Sequence, residues 1–385
     1  MPRYNPLLDE TPEYPFEVLD RIKARLRSEG RPVYDFTRGD PVEPSPDFAR
    51  QALFDAIPEH CPYPTVRGPR RVREAIAGYL KRRYDLTVDP DTQVIPTAGA
   101  KEAVFHLPLL VIDPNARDRA VLFPDPGYPA CGRGAAFAGG ESIPITISGD
   151  YIFRPWELDP ALLERTRMMW INTPHNPSGS VTSLADLERT VELCRRYDIL
   201  LASDETYADI YTDTPPPSVL EVTTKGVLAL HSLSKRSGMT GYRSGFLTGD
   251  PTILKRVAKL RTNPGLVPQD FVNAAAAAAW DDDAHVDARR ALFARKKAAF
   301  LPVFEALGLR VLGADATIYL WVQVPEGHTD HSFAEQLVHH GVVVSPGSCF
   351  TIGDPGECAR YVRLAMVPSE AECHTAAAIW KALQT

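Results

Sequence analysis

Between residues 47 and 283 the sequence keeps changing period. Six runs of four to six residues, at 92–97, 119–123, 168–171, 199–202, 227–230 and 244–248, read as short buried strands. Between them lie segments with apolar residues at helical spacing. One, opened by Gly68-Pro69, carries Val72, Ile76 and Leu80 and ends in the basic turn Lys81-Arg82-Arg83. Another follows Ser183-Leu184-Ala185-Asp186, which resembles a capping box, and runs through Leu187, Val191 and Cys194. Short apolar strands alternating with amphipathic helices require a mostly parallel sheet covered on both faces.

The pattern changes after residue 284. A long charged helix is expected over 285–307, then strands at 319–324, 342–344 and 361–365, a turn at Pro346-Gly347 and a last helix from Ser369. Upstream, 16–29 reads as a helix with Val18, Leu19, Ile22 and Leu26 on one face. The expectation is an α/β protein with a large domain, 47–283, and a smaller α+β domain built from 1–46 plus 284–385.

Composition narrows the function classes. With 42 Lys and Arg against 49 Asp and Glu, the formal net charge is −7, a poor basis for general nucleic-acid binding. No apolar run approaches the ~18 residues of a membrane span. The opening Met1-Pro-Arg-Tyr-Asn-Pro6 lacks an apolar signal core, so a cytoplasmic location is expected. None of the six cysteines (Cys61, Cys131, Cys194, Cys349, Cys358, Cys373) forms a Cys-x-x-Cys pair; free thiols and no metal site are expected. The 35 prolines, about 9% against a usual ~5%, are spread along the chain and indicate rigid loops.

The chemistry-bearing segments each follow a strand. His231-Ser-Leu-Ser-Lys235 continues through Gly238-Met-Thr-Gly-Tyr to Arg243. A lysine at the mouth of a sheet loses its proton more readily when dry, and a neutral amine can condense with an aldehyde. Thr97-Ala-Gly-Ala-Lys101 is a glycine turn into a helix, a place where backbone N–H groups can hold a phosphate. Asp125-Pro-Gly-Tyr-Pro129 presents Tyr128. Asn172-Thr-Pro-His-Asn-Pro-Ser-Gly179 presents His175 and then Asn176, the latter before a proline in a turn suited to a cis bond. Ser203-Asp-Glu-Thr-Tyr207 places Asp204 just after an apolar run, as an ion-pair partner, a cap or a ligand contact.

In this order, these segments resemble fold-type I pyridoxal phosphate (PLP) enzymes of the class I/II aminotransferase family, over about residues 34–380. The resemblance implies a mostly parallel seven-stranded sheet and a role for each matching residue. Lys235 is the cofactor-binding lysine and general base. Arg243, Ser232, Gly99 and the backbone N–H groups of Ala100 and Lys101 form the phosphate cup. Asp204 faces the ring nitrogen, Tyr207 and Asn176 the ring hydroxyl, and Tyr128 stacks on the ring. Arg363 binds the substrate α-carboxylate and Gly39 closes over it. Tyr63 reaches the neighbouring subunit's cofactor, which implies a homodimer with shared active sites. Cys131 stands where many relatives carry a second aromatic, and no role is transferred to it.

Within the family, the segments 35–41, 63–68, 98–108 and 344–348, and the lysine segment with Met239-Thr-Gly-Tyr242, are most similar to N-succinyldiaminopimelate aminotransferases. That resemblance implies transfer from glutamate to N-succinyl-2-amino-6-oxopimelate. Such a substrate needs cations beyond Arg363. Arg38, Arg67, Lys101 and Arg236 lie in or beside the motifs, with Arg38, Arg67 and Lys101 the candidates for the distal end. Aminotransferases of free L,L-diaminopimelate, aspartate or aromatic amino acids, a PLP-dependent lyase, and a non-catalytic sensor of the same fold are the rival readings.

Overall fold

The computed structural model describes residues 2–10 and 15–383. Met1, 11–14 and 384–385, which the expected small domain includes, lie outside the described residues.

Seven strands form the central sheet in the order Val94–Thr97, Gly245–Gly249, Val227–Ser232, Leu200–Asp204, Thr166–Asn172, Ala120–Asp125 and Glu141–Thr146. Gly245–Gly249 runs antiparallel to both neighbours. All other pairs are parallel. Helices cover both faces, so the interior strands Ala120–Asp125, Leu200–Asp204 and Val227–Ser232 are buried at every residue. That two-sided burial is why they read as continuous apolar runs.

The seventh strand, Glu141–Thr146, is absent from the runs read in the sequence. It sits at the sheet edge, is only partly buried and carries Pro144. Proline is tolerated at an edge because the missing N–H faces outward, but it erases the strand signature.

A second, antiparallel sheet runs Ser345–Pro346, Tyr361–Ala365, Tyr319–Gln323, Val311–Leu312. Tyr34–Asp35 pairs in parallel with Val342–Val343, which hydrogen-bonds the N-terminal segment to the C-terminal one.

Two helix expectations are corrected. The stretch 285–307 is not one helix but two, Ala284–Ala298 and Leu301–Ala306. Pro302 has no N–H, and its ring crowds the carbonyl four residues back, at Ala298. In helix Pro15–Ser28 the buried face is Phe16, Leu19, Lys23 and Leu26, while Val18 is 43% exposed. Lys23 holds a core position because its ammonium meets Asp20 at 2.8 Å, Asp35 at 2.7 Å and Thr37 Oγ1 at 3.1 Å. The capping motif at Ser183 is realised in half: its hydroxyl accepts from the Asp186 N–H and donates to the Asp186 carboxylate. Among the described residues no helix is long and apolar enough to cross a membrane.

Leu228 is fully buried in the middle of the sheet. Leu228→Ala is expected to lower unfolding free energy by about 2–5 kcal/mol in urea denaturation; a loss below about 1 kcal/mol would contradict this packing.

Candidate active site

A cavity of about 480 Å³ opens at the carboxyl ends of the parallel strands. That volume suits a small cofactor or substrate. The central sheet supplies one wall. The other comes from Arg38–Asp40, Tyr319, Cys349-Phe350 and Arg363.

One end is cationic. Strand Val94–Thr97 leads through Gly99, at φ +79°, into helix Ala100–His106. Any side chain would be strained at this φ, and a Cβ on Gly99 would overlap the Arg243 guanidinium. Arg243 Nη1 donates to Thr240 O at 2.8 Å. Beside it, the Ser232 hydroxyl caps helix Leu233–Arg236 by accepting from Ser234 N at 3.1 Å and donates to Ser244 O at 3.3 Å. The ammonium of Lys101 lies 6.0 Å from the Tyr128 ring centroid. Burial first, then the guanidinium groups of Arg133, Arg243 and Arg38, hold Lys101 below the usual lysine range. Cations crowded together at the start of a helix fit a polyanion.

Lys235 sits in the next turn after Ser232. Its side chain is partly buried in the cavity wall, and burial pushes its proton affinity down. It donates to Gly39 O. A Cβ on Gly39 would overlap the Tyr319 hydroxyl and come within 3.2 Å of Lys235 Nζ, so glycine is what lets this strap approach the amine.

Asp204 closes the opposite end. It is buried, and burial raises its pKa above the ordinary carboxyl value. Its Oδ1 accepts from Thr206 N at 3.1 Å and from Thr206 Oγ1 at 2.5 Å. A buried carboxylate gains by meeting a cationic N–H.

The turns between these ends are pinned by side chains. Asn172 Nδ2 donates to Asp204 O at 2.9 Å, and Asn172 Oδ1 accepts from Asn176 N at 2.7 Å. Asn176–Pro177 is cis, as the sequence suggested; Thr173–Pro174 and Asp125–Pro126 are cis as well. His175 is not at the cavity. It is buried between Ser178 Oγ at 2.8 Å and Pro126 O at 3.0 Å, and burial pushes it down to about 4, so it is a neutral pin between two turns.

Arg363 is held between the rings of Tyr319, at 4.1 Å, and Phe350, at 4.3 Å. Nη1 donates to Asn176 Oδ1 at 2.7 Å and Nη2 to Thr37 O at 2.6 Å. Among the described residues its buried Nε has no hydrogen-bond partner and its guanidinium no paired carboxylate. A buried guanidinium of this kind is a receptor for a carboxylate. Tyr207 Oη lies 2.9 Å from Tyr319 Oη.

Twelve of the residues singled out in the sequence line one cavity: Arg38, Gly39, Ala100, Lys101, Tyr128 and Asn176 with Asp204, Tyr207, Ser232, Lys235, Arg243 and Arg363. Gly99 flanks it. Besides His175, three others do not reach it. Tyr63 is 100% exposed. Arg67 Nη1 donates to Asp91 O at 2.7 Å, away from the cavity. Arg236 is buried against Asp209 at 2.9 Å and Asp283 at 2.6 Å, a structural ion pair. Arg38 lines the cavity but is also paired with Asp20. Sequence reasoning missed Tyr319, Phe350, Asp40 and Asn172. Tyr319 follows no glycine or proline signature and Phe350 lies just past the Pro346-Gly347 turn, whereas Asp40 and Asn172 stood inside quoted motifs.

Comparison with known proteins places this geometry in context. Residues 31–379 match the family model described as aminotransferase class I and II. The LL-diaminopimelate aminotransferase of Aquifex aeolicus is 35% identical over 370 residues, covering 93% of this chain and 94% of that one. An aminotransferase from Neisseria meningitidis superposes with a TM-score of 0.91 at 32% identity, over 99% of this chain and 100% of that one. A probable N-succinyldiaminopimelate aminotransferase from Thermus thermophilus superposes with a TM-score of 0.87 at 25% identity, over 95% and 99% of the two chains.

Asp125, which opens the turn carrying Tyr128, accepts only a backbone N–H, that of Ile352, at 3.1 and 3.2 Å. Burial pushes it up to about 6 from 3.8. The folded state therefore holds this proton more tightly than the unfolded chain, and stability is lost as pH rises from about 4 through about 6. Asp125→Asn should remove that loss. Its stability relative to wild type is expected to rise by up to about 3 kcal/mol between pH 4 and 7 in urea titrations; a pH-independent difference would contradict the assignment.

Proposed function

The chain belongs to the class I and II aminotransferases, which use pyridoxal phosphate, and on that premise we propose that it moves an amino group between L,L-diaminopimelate and 2-oxoglutarate. The residues fit the cofactor. The cationic end, with Arg243, Ser232 and the N–H groups of Ala100 and Lys101, suits its phosphate. Asp204 suits its ring nitrogen, Tyr128 its face, and Tyr207 with Asn176 its ring oxygen. When bound, the cofactor supplies the electron sink for breaking the substrate Cα–H bond.

The protein's part is placement and proton transfer. Arg363 holds the α-carboxylate by its planar fork. Gly39 and Tyr319, which line the cavity beside Lys235, would lie against the bound substrate. Lys235 Nζ, whose proton affinity burial lowers, would take the proton from Cα and pass it to the cofactor's aldehyde carbon, and would run the same transfer backwards in the second half-reaction; such acid–base catalysis contributes typically ~10²–10⁴-fold.

One observation carries the choice of substrate: the cavity wall holds both Lys101 and Asp40, beyond Arg363. The far end of L,L-diaminopimelate bears a carboxylate and an ammonium, and so calls for a cation and an anion. A succinylated far end has no ammonium. The name of the Aquifex relative agrees with the free diamino acid. A succinylated acceptor, the expectation drawn from the motif set, is the second reading, supported by the likeness to the Thermus protein. The proposal includes a homodimer in which the fully exposed Tyr63 reaches the neighbouring subunit's cofactor.

Steady-state kinetics with 2-oxoglutarate should give kcat/KM for free L,L-diaminopimelate at least about tenfold above the N-succinylated form, a difference of about 1.4 kcal/mol. Asp40→Asn should narrow that ratio. Preference for the succinylated compound would favour the second reading. Gly99→Ala should weaken pyridoxal phosphate binding by about tenfold or more in fluorescence titration, because the added Cβ displaces Arg243. Unchanged affinity would contradict the phosphate-cup assignment.

A further inference from the structure

We propose that Tyr319 is a positioning residue for amino transfer: its hydroxyl donates to Tyr207 Oη and so directs Tyr207's own proton into the cavity, while its ring braces Arg363. This rests on the function proposed above and adds a residue that no motif named.

Tyr319 begins strand Tyr319–Gln323 of the second sheet and is paired with Ala365, two residues beyond Arg363. It is buried yet lines the cavity. It thereby joins an acid–base element from one sheet to a carboxylate receptor from the other. Its ring and that of Tyr207 meet edge to face, with centroids 5.4 Å apart.

The two hydroxyls are 2.9 Å apart, and one proton lies between them. Among the described residues Tyr207 Oη is the hydrogen-bond partner of the Tyr319 hydroxyl. Gly39 closes over the Tyr319 hydroxyl so tightly that a Cβ there would overlap it, with the Lys235 amine 3.2 Å from the same point. Tyr207 also lines the cavity, where an anionic ring oxygen of the bound cofactor would need a donor. If Tyr207 spent its proton on Tyr319, only lone pairs would face that oxygen. Donation from Tyr319 to Tyr207 satisfies both groups and polarises Tyr207 as a donor. The same ring lies 4.1 Å from the Arg363 guanidinium, opposite Phe350, and fixes the plane of its fork.

The two roles separate by substitution. Y319F keeps the ring and removes the hydroxyl. It should lower kcat about tenfold, leave KM for the amino donor within about twofold, and raise the midpoint of the pH-dependent visible absorbance of the cofactor-loaded enzyme by roughly 0.5–1 pH unit. Y319L removes the brace as well and should raise KM about tenfold. The double variant Y207F/Y319F should titrate like Y207F alone, because Tyr319 acts through Tyr207.

A Y319F midpoint equal to that of wild type, or shifts that add in the double variant, would overturn the inference while leaving the proposed function standing. A wild-type protein that takes up no pyridoxal phosphate would overturn both. If Y319F does not fold, 3-fluorotyrosine at position 319 keeps the shape and acidifies the donor. It should lower the midpoint, and no change would overturn the inference.

Discussion

Partial burial of the Lys235 amine is the constraint to which the rest of the site answers. In water that nitrogen would carry a proton and could act neither as nucleophile nor as base. Burial shifts the balance, and the surrounding chain makes burial possible. Strand Val227–Ser232 delivers the lysine to its carboxyl end at the cavity, Ser232 caps the short helix that carries it, and Gly39 brings a carbonyl against it. None of these elements suffices alone. The strand fixes where the amine emerges, and the glycine strap supplies the carbonyl it meets there.

A second dependence runs between the two sheets. Arg363 belongs to the antiparallel sheet but is tied to Asn176 on a turn of the parallel one and to Thr37 on the N-terminal segment. Its guanidinium therefore reports the relative position of three separate parts of the chain. Two of its nitrogens are engaged and stacked rings fix its plane, so a carboxylate meets a fork already oriented. Preorganisation of this kind reduces the ordering that binding must otherwise supply.

Legibility in the sequence followed physical causes. Strands buried on both faces announced themselves as apolar runs, and glycine and proline turns marked where they end. That combination located Lys235, Asp204, Asn176 and the Gly99 turn before any coordinates. The edge strand Glu141–Thr146 was silent because one-sided burial and Pro144 remove the run. Tyr319 was silent because an aromatic in an apolar strand looks like core, and only the approach of Gly39 and Tyr207 makes it part of the site. Arg67 and Arg236 show the opposite failure. Closeness to a motif in sequence does not bring a cation to the cavity when a carbonyl or a carboxylate lies nearer.

The account turns on which nitrogen bonds to the cofactor. Borohydride reduction of the pyridoxal phosphate-loaded protein, followed by proteolysis and mass spectrometry, answers that directly. One phosphopyridoxyl group is expected per chain, on the peptide containing Lys235. A group on another lysine such as Lys101, or none, would contradict the assignment of the Lys235 amine.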